Sequence, residues 1–272
     1  MDDGTDLAII GGSGELPLTI KKFYKKALFI TFNNSNTIVD NKVVNCEFEK
    51  LGFLFDSLKQ NQIRRVVMAG AMARPQFDKS KMDKYTQNLL PKLNAKLVKG
   101  DNELLCFIAE EFENKGYQIL GASEIISDVT VAPGFVCGSS YEFFSRDISR
   151  ADHVLKALGP EDIGQGVVVE NGLVLGIETL QGTNELLKFV AQTSPRLRKD
   201  DLGGIFVKRP KSNQNLRFDM PVVGPETIEL ACKAGLRGLV VSPQSVLVLD
   251  KEKCIQIAEA NNFFILAEEA KK

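Results

Sequence analysis

Histidine is almost absent from this chain, and tryptophan is absent altogether. The one histidine, His153, stands in the helix-like stretch RADHVLKALG, where a solvated or capping side chain is the simplest interpretation. A metal site built from several histidines and the motif H-E-x-x-H are therefore excluded, and a Ser-His-Asp triad would have to use His153. We expect the chemistry of this chain to depend on carboxylates, lysine, arginine and a metal ion bound through oxygen.

Cysteine is scarce as well. The five cysteines are odd in number, widely spaced and never form a C-x-x-C pair, so neither a disulfide framework nor a zinc site is indicated. The beginning, MDDGTDLAII, lacks a basic segment followed by a long apolar one, and no run approaches the roughly 20 apolar residues of a membrane span. A cytoplasmic protein is therefore expected.

Neither charge sign is in excess, because 34 basic residues face 35 acidic ones and the formal net charge is −1. The whole-chain charge gives no reason to expect binding to nucleic acid or strong attraction to anionic lipid. Any affinity for phosphate must therefore come from a local cluster of residues.

Apolar runs alternate with helix-like segments in the first half of the 272 residues, which predicts βαβ units and a mostly parallel sheet. The predicted strands are 7–10, 27–30, 65–69 and 117–120. Between the last two, GDNELLCFIAEEFENKG repeats its apolar residues at helical spacing, with Asp101 as the predicted N-cap and Gly116 as the C′ residue. Residues 1–130 are therefore predicted to form an N-terminal α/β domain.

Pro133-Gly134 interrupts this alternation, and residues 131–138 are predicted to be a linker. Beyond it, two β-rich runs surround Asn171-Gly172, which is the strongest short hairpin signal. The further predicted segments are helix 183–192, strand 204–207, helix 226–234, strand 238–241, strand 246–249 and a helix from 251. Residues 139–272 are therefore predicted to form a second α/β domain with a mixed sheet.

A glycine-rich loop follows the first predicted strand in IIGGSGELP. Gly11, Gly12 and Ser13 are candidates to bind an anion through exposed backbone N–H groups. Pro17 replaces the third glycine of a G-x-G-x-x-G pattern, no P-loop lysine follows, and NNSN at 33–36 supplies no acid for a ribose. A nucleotide or sugar phosphate is therefore favoured over NAD, and a purely structural turn is the alternative.

A second loop, in VVMAGAMARPQ, follows the predicted strand 65–69. Gly70 and Ala71 lie just beyond the carboxyl end of that strand, where open α/β sheets bind ligands, and Arg74 is a candidate phosphate contact. A plain loop with a solvated Arg74 is an equal alternative.

The segment GQGVVVENGLVLGIETLQGTNELL holds a third set of candidates. Gly182 and Thr183 place free amides and a hydroxyl at the beginning of a helix, an arrangement that favours anions, although helix capping also explains Thr183. Glu178 is expected near the end of the second hairpin strand, with its carboxylate directed into a cleft. Gln165 is a further candidate for ligand contact.

The strip KRPKSNQNLRFDMPVVG, residues 208–224, holds four basic residues and one acid between 208 and 219. Such a strip can clamp two phosphates, and neutralising charge on the transferring group is the largest expected catalytic term in phosphoryl chemistry. Asp219 is the carboxylate that a divalent metal ion or an attacking water would need. A solvated basic loop with Asp219 as an ion-pair partner is the alternative.

Together these segments resemble the LpxI type of UDP-2,3-diacylglucosamine pyrophosphatase. The resemblance rests on the motifs IIGGSGELP, MAGAMARPQ, GDNELL, GQGVVVENGLVLGIETLQGTNELL and GGIFVKRPKSNQNLRFDMPVVGPETIELACKAGLRGLVV. It implies a Mg²⁺-dependent enzyme of lipid A biosynthesis that splits UDP-2,3-diacylglucosamine into 2,3-diacylglucosamine 1-phosphate and UMP. It also implies two α/β domains, the first of them Rossmann-like.

The resemblance further implies the roles of individual residues. Asp219, within R-x-D-x-P-x-x-G, corresponds to the residue essential for catalysis. The residues implied to face the diphosphate are Lys208, Lys211, Gln214 and Arg217. The loop from Gly11, with Gly70, is implied to contact the substrate.

Three departures from the family pattern concern the metal ion. The family usually carries an acid where this chain has Asn102, Asn184 and Asn215, so affinity for Mg²⁺ is expected to be lower if one of those acids is a ligand. The carboxylates that we expect to hold Mg²⁺ are Asp101, Glu178 and Asp219.

The expected partner is a lipid-linked nucleotide-sugar substrate. A lipid substrate implies transient peripheral contact with the cytoplasmic face of the inner membrane, and a homodimer is one of the oligomeric states left open. A non-catalytic nucleotide-sugar or sugar-phosphate-binding regulatory protein is the alternative function, supported by the three exchanges to asparagine. An NAD-dependent oxidoreductase is disfavoured by the missing ribose acid.

Overall fold

The computed structural model describes residues 3–32, 42–72, 75, 77–126, 128–198, 203–212 and 214–270. The chain divides into two compact units. Unit 1 comprises Met1–Ile126 and Arg217–Asp219, and unit 2 comprises Ser127–Leu216 and Met220–Lys272. The basic strip is therefore divided, because its one acid, Asp219, belongs to unit 1 and its lysines belong to unit 2.

Unit 1 is built around a parallel sheet. Its strands within the described ranges are β1 (Leu7–Gly11), β2 (Leu28–Phe32), β3 (Val43–Cys46), β4 (Arg65–Ala69) and β5 (Gln118–Leu120), in the order β3-β2-β1-β4-β5. Its helices there are α1 (Leu16–Phe23), α2 (Leu51–Gln60), α3 (Lys84–Leu97), α4 (Asp101–Asn114) and α5 (Ala122–Ile125), with a 3₁₀ turn at Lys79–Lys81. The order reverses between β1 and β4, so the carboxyl ends of these two strands form the topological switch point where open α/β sheets bind ligands.

Strands β1, β2 and β4 of unit 1 are buried along almost their whole length, as is typical of a parallel sheet covered by helices. Alternate residues such as Ile10, Ile30 and Met68 pack in one core with Leu54 of α2 and Phe112 of α4. Helix α1 contacts β1. The predicted parallel sheet is therefore confirmed.

A single carboxylate caps two helices of unit 1. Asp83 accepts hydrogen bonds from the backbone N–H of Thr86 in α3 and of Gly52 in α2, both at 2.7 Å. The Thr86 hydroxyl in turn accepts a bond from Leu51 N at 2.9 Å. Burial favours the neutral form of Asp83, but the hydrogen bonds from Thr86, Gly52 and Phe53 outweigh it and hold the pKa of Asp83 below its ordinary value of 3.8.

Unit 2 contains a mixed sheet in the order β6-β13-β11-β9-β7-β8 and a separate parallel pair, β10 and β12. The described strands are β6 (Val136–Cys137), β7 (Gly166–Glu170), β8 (Leu173–Ile177), β9 (Gly204–Lys208), β10 (Val222–Val223), β11 (Leu236–Val241), β12 (Leu247–Val248) and β13 (Phe264–Ala267). Strands β9, β11 and β13 are mutually parallel, whereas β6, β7 and β8 each run antiparallel to a neighbour.

Helices lie on both faces of this mixed sheet. The described helices are α6 (Ser145–Leu158), α7 (Gly182–Ala191), α8 (Pro225–Lys233) and α9 (Lys251–Ala260), with 3₁₀ turns at Glu142–Phe144 and Gly159–Glu161. Helix α6 packs in one core with Val167 and Val207, and α7, α8 and α9 pack in the other with Val168 and Phe206. Because neighbouring strand residues face opposite sides, this split follows from the alternation along β7 and β9.

Several local predictions are confirmed, and the start of one helix is shifted. The predicted hairpin has Asn171 at φ +49° and Gly172 at φ +78°, as a type I′ turn requires. Helix α4 begins at Asp101 with Gly100 at the N-cap, one residue earlier than predicted. The stretch 131–138, predicted as a linker, contains β6, which pairs with β13. His153 lies exposed on α6, as its interpretation required.

No helix in the described part of the chain is long and apolar enough to cross a membrane.

Candidate functional site

The two glycine loops of unit 1 lie together at its switch point. Gly12 N donates to Ala69 O at 2.8 Å, and Ser13 N donates to Ala71 O at 2.7 Å. Ala71 N returns a bond to Ser13 O at 3.0 Å, and the Ser13 hydroxyl also donates to Ala71 O at 3.1 Å. Sequence segments 58 residues apart thus form one surface beyond the carboxyl ends of β1 and β4.

Close approach of these two backbones explains their glycines. A Cβ on Gly12 would lie 2.3 Å from Ala71 O, and a Cβ on Gly70, which has φ +84°, would lie 2.4 Å from Ser13 O. Gly11 is also constrained, because its Cβ would lie 2.3 Å from the Phe29 ring. Substrate contact by this loop stays a prediction, and Arg74 lies outside the described residues.

The end of the basic strip is anchored in unit 1. Phe218 packs against the core that the sheet shares with α2 and α4, and Arg217 Nη1 lies 2.8 Å from Glu113 Oε1 of α4 in an exposed ion pair. The pKa of the Cys106 thiol, also on α4, is raised by burial, by Glu103 and Glu110, and to a smaller extent by Asp219. Asp219 therefore lies within electrostatic range of α4.

The first lysine of the strip lies in a buried polar cluster of unit 2. Lys208 Nζ is 3.0 Å from Glu178 Oε1 and 3.3 Å from Oε2, and it donates to the Thr183 hydroxyl at 2.5 Å. The Thr183 hydroxyl donates to Glu178 Oε1 at 2.6 Å. Lys208 is only 3% exposed and Glu178 6%. Helix capping is therefore the wrong explanation for Thr183, whose hydroxyl serves this cluster.

A second buried pair follows directly. Arg209 Nε donates to Asp152 Oδ1 at 3.0 Å, and both side chains are 4% exposed. Its Nη1 donates to the Ser242 hydroxyl at 3.5 Å and to the Glu268 carbonyl oxygen. Arg209, Ser242 and Glu268 are the residues that follow the parallel strands β9, β11 and β13, so this network joins three carboxyl strand ends. The sequence analysis assigned no role to Arg209 or Asp152, which lie 57 residues apart.

The second lysine of the strip is also paired. Lys211 Nζ forms an ion pair with Asp162, and Lys211 N donates to Gln214 Oε1 at 2.9 Å. Gln214 Nε2 and Gln165 Oε1 are buried and have no hydrogen-bond partner among the residues that the structure describes. A buried donor and a buried acceptor without partners are costly in the unliganded protein, so both atoms are suited to a ligand.

In the folded protein, acids from outside the strip offset its positive charge. Each of its four cations faces an acid supplied from elsewhere in its own unit. The pairs are Lys208–Glu178, Arg209–Asp152, Lys211–Asp162 and Arg217–Glu113. A count of charges within the strip includes only its own acid. The ion pairs of the folded protein use acids at least 30 residues away in the sequence.

The three carboxylates predicted to hold Mg²⁺ differ in their surroundings. Both oxygens of Glu178 contact Lys208, whereas Asp101 lies half-buried in the first turn of α4 and Asp219 lies half-buried in unit 1. Within the described ranges there is no group of three or more His, Cys, Asp or Glu side chains placed to hold a metal ion.

These features define a two-unit α/β protein whose candidate residues cluster where parallel strands end. The LpxI N-terminal domain family matches residues 6–129, and the LpxI C-terminal domain family matches residues 138–266. The chain is also 35% identical over 220 residues to the UDP-2,3-diacylglucosamine pyrophosphatase LpxI of Caulobacter vibrioides, covering 80% of this chain and 79% of that protein. The chain belongs to the LpxI family, which confirms the resemblance read from its motifs.

Proposed function

We propose that this chain is a UDP-2,3-diacylglucosamine pyrophosphatase, a hydrolase that releases UMP and 2,3-diacylglucosamine 1-phosphate in lipid A biosynthesis. The observation that carries the proposal is the similarity to a protein named for this activity over 80% of the chain. The polar residues at the carboxyl strand ends of both units support it, because binding at such ends is typical of α/β proteins.

Asp219 is the proposed catalytic residue. Water adds to one phosphorus of the diphosphate while the bridging P–O bond breaks, and the bond's electrons leave with the departing phosphate oxygen. Asp219 would orient that water and accept its proton, which is the role of a general base. Asp219 is the one acid of its strip, and Phe218 anchors its backbone against the core of unit 1.

The lysines, arginine and amides named above would bind the diphosphate. Lys211 and Arg217 are in partly exposed ion pairs, so a phosphate can replace the carboxylate that each now contacts. Gln214 Nε2 would donate to a phosphate oxygen, and Gln165 Oε1 would accept a hydrogen bond from a hydroxyl or N–H group of the substrate. The backbone amides of Gly11, Gly12, Ser13, Gly70 and Ala71, and those at Gly182 and Thr183, are the further proposed contacts.

Mg²⁺ is the proposed cofactor, with oxygen donors of unit 1 as its proposed ligands. When bound, Mg²⁺ would neutralise charge on the diphosphate. Asp219 and Asp101 are the carboxylates that we propose to hold it, because this ion is commonly bound by one or two carboxylates plus substrate phosphates and water. Glu178 is a weaker candidate than the sequence indicated, since Lys208 already contacts both of its oxygens.

We further propose a cytoplasmic enzyme that touches the inner membrane transiently, because two acyl chains keep this substrate in a lipid surface. Phe143 is the proposed acyl contact, because its side chain is 75% exposed, whereas the neighbouring Phe144 is buried in a core. Co-sedimentation with vesicles that contain the substrate, compared between the wild type and Phe143→Ser, tests the contact.

Incubation with UDP-2,3-diacylglucosamine and Mg²⁺ tests the proposed activity directly. Release of UMP and of the sugar 1-phosphate in equal amounts is the expected result. Saturable binding of the intact substrate without release of UMP would instead support a nucleotide-sugar-binding regulatory protein. If the protein neither binds the substrate nor releases UMP, the proposal is contradicted.

A further inference from the structure

Three residues lie in one row across neighbouring strand ends of unit 2. Gly166, at the beginning of β7, pairs with Lys208 at the end of β9. On its other side, Gly166 O accepts a hydrogen bond of 2.8 Å from the backbone N–H of Glu178, just beyond β8. Residues opposite each other in antiparallel strands project to the same face, so the side chains of Lys208 and Glu178 meet above Gly166.

Glycine in the middle of the row makes this contact possible. A Cβ on Gly166 would lie 2.8 Å from Glu178 Oε2 and 2.7 Å from the Phe206 ring. A Cβ on Gly164, which has φ +48°, would lie 1.9 Å from the carbonyl oxygen of Glu178. The two glycines of the G-Q-G motif therefore keep open the space in which Glu178 reaches Lys208.

From this arrangement we infer that Glu178 and Thr183 are positioning residues that fix the Lys208 ammonium for the diphosphate. The inference rests on the proposed function and assigns Glu178 a role other than the metal ligation expected from sequence. An ammonium has three N–H donors. The Glu178 carboxylate and the Thr183 hydroxyl take two of them, and the third is directed to a phosphate oxygen of the substrate.

The charges of the cluster indicate that Lys208 acts as a positioned hydrogen-bond donor and not by attracting the anionic substrate. Lys208 and Glu178 form a neutral pair, both buried, so Lys208 adds little net positive charge to attract an anion. Lys208 contributes an N–H donor that is fixed in position and shielded from solvent. Such a donor stabilises charge as it develops in a transition state. Loosening the donor should therefore lower kcat more than it raises KM.

Thr183→Val is the decisive variant, because it keeps the shape of the side chain and removes only the hydroxyl. We expect kcat to fall roughly 10- to 100-fold, the range for a misplaced catalytic group, while KM changes by less than about threefold. Thr183→Ser restores the hydroxyl and should recover most of the activity. Thr179→Val is the matched control, since Thr179 is an exposed threonine whose hydroxyl contacts only Gln181 among the residues described, and its kcat should stay unchanged.

Two further measurements separate positioning from folding. Glu178→Gln should also lower kcat, but it leaves a buried ammonium without its counter-charge and can unfold the protein. On a Lys208→Met, Glu178→Gln background, which removes both charges of the buried pair, Thr183→Val should cost almost no further activity, because the ammonium that it positions is gone. Circular dichroism and thermal unfolding confirm that each variant is folded.

The outcomes distinguish this inference from the proposed function. A wild type that releases no UMP contradicts both. A wild type that is active, with Thr183→Val equally active and folded, overturns the inference alone. The inference is also overturned if Thr183→Val and Thr183→Ser lower kcat equally. It is overturned as well if Thr183→Val lowers kcat by the same factor with and without Lys208.

Discussion

Lys211 and Asp162 form an ion pair in unit 2, although 49 residues separate them in the sequence. Asp162 has φ +57°, a left-handed conformation that Asp and Asn tolerate better than most residues. The Asp162 carboxylate takes the position beside the Lys211 ammonium that a phosphate oxygen of the substrate would take. Binding of a diphosphate at Lys211 therefore has to displace an acid that the protein itself supplies.

Asp162→Asn should strengthen substrate binding. The change removes the competing charge and keeps a residue suited to the backbone conformation, so KM should fall by about two- to fivefold, the range for a partly exposed pair. Steady-state kinetics of UMP release measure it.

Asp128→Asn is the matched control for this variant. Asp128 also has a positive φ, +69°, and pairs with a lysine, Lys251, outside the strip. Its KM should equal that of the wild type. A KM for Asp162→Asn that is unchanged or higher would show that Lys211 does not meet the diphosphate.

Gly12→Ala should destabilise unit 1. The added Cβ meets the backbone oxygen of Ala71 at 2.3 Å, and backbone cannot give way as a flexible side chain does. A loss of about 1–3 kcal/mol in the free energy of unfolding is expected for such overpacking, measured by urea titration. Gly14→Ala is the comparison, since a Cβ there meets nothing within 4 Å and only its φ of +100° is unfavourable. Equal losses in the two variants would refute the close approach of the loops.

Asp83→Ala should destabilise unit 1 in a pH-dependent way. Because the pKa of Asp83 is lower in the folded than in the unfolded protein, its ionised form stabilises the fold above the unfolded value near 3.8, and this stabilisation is lost as pH falls through the folded value. Near neutral pH the free energy of unfolding should fall by about 1–2 kcal/mol, as for loss of an N-cap. The difference from the wild type should shrink below about pH 4.

Asp78→Ala is the control for the pH series, because Asp78 also has a lowered pKa but caps only the exposed 3₁₀ turn through Ser80. Its loss should be much smaller at every pH. A difference between Asp83→Ala and the wild type that stays constant down to strongly acidic pH would contradict the capping account.

Short-range patterns in the sequence predicted much of the fold. The hairpin at Asn171-Gly172 and helix α4 were accessible because turn chemistry and helical spacing are local properties. Strand β6 was not, because Val136–Cys137 is too short to show alternation and is defined only by pairing with β13. The glycine loops were identified, but their contact with each other depends on strand order.

The candidate site was predictable in its residues and not in its electrostatics. Sequence placed Lys208 and Glu178 among the candidates but gave no sign that they form one buried pair, 30 residues apart. Asp152, Asp162 and Glu113 received no role, because an acid on a helix or turn has no local feature that marks it as the partner of a distant cation.

The central claim is hydrolysis of UDP-2,3-diacylglucosamine with Asp219 as the catalytic residue, and the most direct test is single-turnover release of UMP by the wild type and by Asp219→Ala. Asp56→Ala, which alters an exposed acid on α2, serves as the control. The account predicts that Asp219→Ala releases UMP roughly 100- to 10,000-fold more slowly, as expected for loss of a general base, while it still binds the substrate. Release of UMP by Asp219→Ala at the wild-type rate would contradict it.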